Sequence, residues 1–173
     1  MASDVDFFNL IFGSAVYTKP ARLRADDLLV RGRAQEPLEA TVALLRDLVV
    51  QYQREVVPLA SSAHPFPDPA IVAPMRRADR ARAATNECLD AIRNMIAPGS
   101  DHVWNRFRQP TPLLSLLFAT DRQLIYQGDQ VAAALRGLTV DTLPGFDWTP
   151  FEAALAELRE AVEGRRKLTR LNV

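Results

Sequence analysis

EPLEATVALLRDLVVQYQREVV, residues 36–57, decides the fold. Leu38, Thr41, Val42, Leu45, Leu48, Val49, Tyr52 and Val56 recur at intervals of three and four, the repeat of one face of an α-helix. Glu39, Arg46, Asp47, Gln53 and Arg54 take the opposite face. Pro37 fits a first helical turn, where its missing N–H loses no partner. Pro58 stands where the helix must stop or kink. A helix with one apolar face has to cover it, so the rest of the chain must supply the cover.

Working outward, the proline-rich loop PLASSAHPFPDP at 58–69 leads into a second helix over 68–97. Asp68 is its N-cap and Pro69 its first residue. Ile71, Val72, Met75, Ala78, Thr85, Leu89, Ile92 and Ile96 form its inward stripe, with Cys88 and Met95 beside it. A third helical stretch spans 111–137, in two pieces, with Asp121 capping the second, Gly128 at a bend or close crossing, and Gly137 as C-cap. A fourth spans 149–167. Thr149 and Glu152 have capping-box spacing, Pro150 takes the first turn, and Gly164 with the charged tail marks fraying or a late extension. Ahead of the first helix, residues 1–35 read as a short N-terminal helix and a connector. Alternating strand patterns are almost absent. The expectation is a single all-α domain, a bundle of four main helices with short accessory helices.

Composition narrows the functional classes. The 173 residues are 48% hydrophobic, enough for a core without disulfides or structural metal. Cys88 is the one cysteine, so no cysteine cluster exists to hold zinc or iron–sulfur. Lys plus Arg and Asp plus Glu both number 21, so no overall field draws the chain to nucleic acid or an anionic membrane. No apolar run approaches membrane-spanning length, and Asp4 and Asp6 oppose a secretory leader. No membrane insertion and a cytoplasmic location are the expectations.

Motifs for catalysis are missing. There is no phosphate-binding glycine loop, no nucleophile elbow and no Glu-x-x-His pairing. His64 and His102, the two histidines, lie far apart and lack ligand spacing, so neither a metal nor a cofactor is expected. The stretch PGSDHVWNRFRQP, 98–110, holds most of the remaining interest. Pro98 and Gly99 end one helix, and Val103, Trp104 and Phe107 have the spacing of a short helix that seals the core. His102, Arg106 and Arg108 are left over. A ligand pocket requires His102, Cys88, Asp101 and Arg106 to converge on an open concavity.

Two further basic runs stand out: Arg76, Arg77 and Arg80 with Arg82, and Arg165 and Arg166 with Lys167 and Arg170. With Arg106 and Arg108 they are the candidates for binding an anion or nucleic acid. Phe7, Phe8, Ile11, Phe12 and Trp104 are the candidates for a protein interface. The leading expectation is a non-enzymatic interaction or assembly protein that self-associates as a homo-oligomer or meets another protein. A nucleic-acid-associated helical protein comes second, and a small enzyme or ligand-binding bundle with a pocket near His102 third.

Overall fold

The computed structural model describes residues 4–12, 17, 22–59, 66–95 and 112–170, with backbone alone for 4–6, 112–113 and 169–170. The chain there is all-α. The helices are α1 (Asp4–Phe12), α2 (Leu23–Glu55), α3 (Pro69–Arg93), α4 (Pro112–Ala133) and α5 (Thr149–Arg170), with a 3-10 turn at Leu143–Gly145.

Two antiparallel hairpins lie side by side. In the first, the Tyr52 hydroxyl of α2 donates to the Ile71 carbonyl of α3 (3.1 Å), and further along Arg93 of α3 reaches Glu39 of α2 (2.6 Å). In the second, Asp121 of α4 meets Arg165 of α5. The hairpins join where α2 packs parallel to α4. A Cβ added at Gly128 would stand 3.1 Å from the Ala34 carbonyl oxygen and 3.4 Å from Pro37 Cγ. Glycine therefore eases this close crossing, where any side chain would press on the Ala34 carbonyl. On the other flank α3 runs parallel to α5, and that seam is more open than the other three.

The apolar stripes meet in the middle. Leu38, Leu45 and Leu48 of α2, Leu89 and Ile92 of α3, Leu117, Leu124 and Ile125 of α4, and Phe151 and Leu158 of α5 are buried together. Truncating one such leucine to alanine removes about 2–5 kcal/mol. Helix α1 covers one end of this core. Phe8 is fully buried against Phe118, with ring centroids 5.3 Å apart, and stacks on Phe12 at 6.1 Å.

Several details differ from the sequence expectation, each for a physical reason. Helix α2 starts at Leu23 and passes straight through Pro37, so the connector expected up to residue 35 is helix from residue 23 onward. An interior proline costs about 3 kcal/mol, which the buried positions on both sides of it offset. Helix α4 is continuous through Asp121, whose carboxylate bonds Arg165 and Tyr17 and starts no new piece. Helix α5 starts at Thr149, but Asp147 accepts the Thr149 N–H (3.0 Å) while Glu152 turns to Arg77. That N–H holds the Asp147 carboxyl below its ordinary pKa. Gly164 lies inside α5, which runs on to Arg170. Asp68 caps α3 as expected, accepting the Ala70 N–H at 2.8 Å, whereas α4 ends at Ala133 and Gly137, with φ +80°, closes the turns that follow instead of capping the helix.

Candidate functional site

The most unusual feature of the interior is a cluster of charges. Asp26, Asp27 and Arg31 of α2, Asp121 of α4 and Arg165 of α5 are all buried. Arg165 binds Asp27 and Asp121 together. Arg31 binds Asp27 at 3.0 Å and donates to the Met95 carbonyl. Tyr17 closes the cluster from the α1 side: its N–H donates to Asp26 (2.8 Å) and its hydroxyl to Asp121 (2.6 Å). Tyr17 holds φ at 60°, a left-handed conformation uncommon outside glycine, with both ends tied. Arg22 lies 3.9 Å from Asp26 at the surface, so three acids face three arginines.

The buried polar atoms of the cluster are paired. Among the described residues, no buried side-chain nitrogen or oxygen lacks a hydrogen-bond partner. Burial by itself lowers the Arg165 pKa, but the Asp121 and Asp27 carboxylates outweigh it and keep the guanidinium charged. Burial pushes the Asp121 carboxyl up, against the pull of Arg165 and the Tyr17 hydroxyl. Burial, with Asp121 beside it, raises Tyr17 well above the ordinary phenol value. Tyr17 therefore stays a donor. Among the described residues no group of three or more His, Cys, Asp or Glu is arranged to hold a metal ion. With its valences filled from within, the cluster is a fastener joining α2, α4 and α5.

Turning these charges inward turns leucines outward. On the same turns of α2, Leu28 is 60% and Leu29 47% exposed. With Ile11 and Phe12 of α1 and Ala25 and Gly32 of α2 they line an apolar groove of about 750 Å³, rimmed by Arg33 and Glu36. Leu10 of α1 is 85% exposed. The interface candidates thus divide. Phe8 is covered within its own chain, which corrects its place among them, since a ring already buried has no surface to offer. Phe7, Ile11 and Phe12 are half-buried, and Phe7 carries Arg122 over its ring at 5.3 Å.

The arginine candidates divide too. Arg165 is no part of an exposed patch: it is 2% exposed and held by two carboxylates. Arg166 donates to the Ala91 carbonyl at the far end of α3. Arg76, Arg77 and Arg80 are exposed near the start of α3, about 20 Å from Ala91 at 1.5 Å per residue. The two runs do not merge. Arg77 and Arg80 instead line a groove of about 430 Å³ in the α3–α5 seam, with Arg159 and Glu152 on the wall and Ala81, Ala84, Trp148, Phe151 and Leu155 as the floor.

Asp101, His102, Trp104, Arg106 and Arg108 lie outside the described residues, as does His64. Cys88 is buried, and burial pushes its thiol up against the pull of Arg159, so it is no thiolate near neutral pH. Sequence reading passed over Asp26, Asp27, Arg31, Leu28 and Leu29. The signal available was the four-residue spacing of Asp27 and Arg31, which is also common on exposed helix faces. Comparison of the chain with protein-family models, curated proteins and solved structures returns no significant match.

Proposed function

We propose that this chain is a non-enzymatic assembly protein that pairs with a second copy of itself through α1 and the N-terminal half of α2. One observation carries the reading. On α2 the charged residues Asp26, Asp27 and Arg31 are buried while Leu28 and Leu29 are exposed, the reverse of an ordinary surface helix. Leucines grouped along a groove mark an interaction surface, unlike single exposed ones.

A second copy suits the groove. Its rim carries Glu36 and an Arg33 already bonded to Asp129 (2.9 Å), so it presents no excess of one charge to repel an identical surface across a two-fold axis. The net charge of zero adds no repulsion between copies. No described helix is long and apolar enough to cross a membrane. The filled valences of the ion cluster and the protonated Cys88 favour assembly over catalysis. Nucleic-acid binding has less support, because the basic runs of α3 and α5 lie apart and Arg165 is enclosed.

Sedimentation velocity from about 1 to about 300 μM tests the reading, a range that spans micromolar affinities. A dimer that forms with rising concentration is expected. A monomer throughout contradicts it.

A further inference from the structure

The α3–α5 groove lies on a different flank from the proposed dimer surface and has a different chemistry. Its walls come from two parallel helices. Arg77, Arg80, Ala81 and Ala84 fall on one face of α3, and Phe151, Glu152, Leu155 and Arg159 on one face of α5. The alanines open the space, since longer side chains there would fill the seam. The volume of about 430 Å³ suits a small molecule.

The charges in the groove have distinct states. Arg77 is held in place: it bonds Glu152 at 3.0 Å and sits over the Trp148 ring at 5.9 Å. Arg159 is half-exposed, 3.6 Å from Glu87 and beside the Cys88 thiol, both outside this groove's lining. Arg80 makes no ion pair or hydrogen bond among the described residues. Three guanidinium groups and one carboxylate leave the lining two positive charges in excess. The floor between them is apolar.

We propose that this groove binds a small organic phosphate monoester, whose dianion takes Arg80 and Arg159 while its apolar body lies over Ala81, Ala84 and Leu155. A phosphate monoester carries a charge of about −1.5 to −2 at neutral pH, which matches the excess. Guanidinium forks complement its oxygens. Arg77, locked by Glu152 and Trp148, fixes the wall against which the ligand rests. The site is independent of self-association.

Isothermal titration calorimetry of the full chain with phenyl phosphate at low salt tests this. Saturable one-to-one binding is expected, weakened about ten-fold or more in Arg80→Gln and in Arg159→Gln, as loss of a charge-assisted bond implies. Arg136→Gln, outside the groove, leaves it unchanged. Inorganic phosphate binds about ten-fold more weakly for want of the apolar body. Circular dichroism and thermal melts of the variants match wild type, because both arginines are exposed. No saturable binding up to about 10 mM, a limit well beyond ordinary ligand affinities, overturns the proposal. So does binding indifferent to both variants, or inorganic phosphate binding as tightly as the ester. Tighter binding of a short single-stranded RNA that displaces phenyl phosphate overturns the small-molecule class.

Discussion

Before Pro37, α2 turns Asp26, Asp27 and Arg31 inward and Leu28 and Leu29 outward; after Pro37 it turns Leu38, Leu45 and Leu48 inward and Glu39, Arg46 and Asp47 outward. One continuous helix thus docks by two different means. The second half is held by apolar area, which is forgiving of small changes in register. The first half adds to its buried Leu23, Val30 and Ala34 a closed set of ion pairs and hydrogen bonds, which is less tolerant of a shift in register. Buried ion pairs add little net stability over well-packed apolar groups, but a missing partner is heavily penalised. The charged half also leaves its adjacent leucines free to face outward along a groove, whereas Leu44 and Val50 in the other half are exposed six residues apart.

Removing the central cation breaks this comparison most severely. Arg165→Met leaves Asp27 and Asp121 sharing one fewer cation, and denaturant unfolding should show a loss of about 3–5 kcal/mol. The triple variant Tyr17→Phe, Asp121→Leu, Arg165→Met should recover most of it, since Asp27 keeps Arg31. A single variant that loses under about 1 kcal/mol would mean that the cluster is not closed.

Alkaline pH sharpens the same point. Tyr17 is protonated in the fold beyond its ordinary range, whereas the unfolded chain ionises near pH 10. The unfolded state then binds fewer protons, so stability is intact below about pH 10 and falls above it. The slope approaches about 1.4 kcal/mol per pH unit, and Tyr17→Phe should flatten it in urea titrations across that range.

Two glycines give the smallest effects, with opposite signs. Gly128→Ala drives a Cβ into the Ala34 carbonyl and should lower stability by about 1–2 kcal/mol despite better helix propensity. A Cβ at Gly164 meets nothing within 4 Å, so Gly164→Ala should raise stability by about 0.5–1 kcal/mol. Thermal melts read both.

The helical class and the faces of α3, α5 and the second half of α2 were legible in the sequence because their buried positions are apolar. The first half of α2 was not. Its inward positions continue the same three- and four-residue spacing through 23, 26, 27, 30, 31 and 34, but three of the six are charged, so the apolar repeat stops before the helix does. Pro37 then resembles a start, and its interior position becomes clear only beside Gly128. Asp121 reads as a cap for the same reason: an aspartate is expected at a helix end until the arginine that binds it comes into view. Arg165 sits 44 residues beyond its Asp121 partner, a pairing that no local pattern encodes. The arginine groove was half legible, since Arg77 and Arg80 stood out but the α5 wall became apparent only once the helices were packed.

Self-association through the inverted half of α2 is tested most directly by comparing sedimentation of the wild type with that of Leu28→Glu/Leu29→Glu. Both side chains are exposed in the single chain, so the variant should fold and melt like the wild type. The expected result is a wild-type dimer and a variant whose dissociation constant is raised about a hundred-fold, as burying two unpaired charges implies. A wild type that stays monomeric, or a variant that dimerises as well as wild type, contradicts the account.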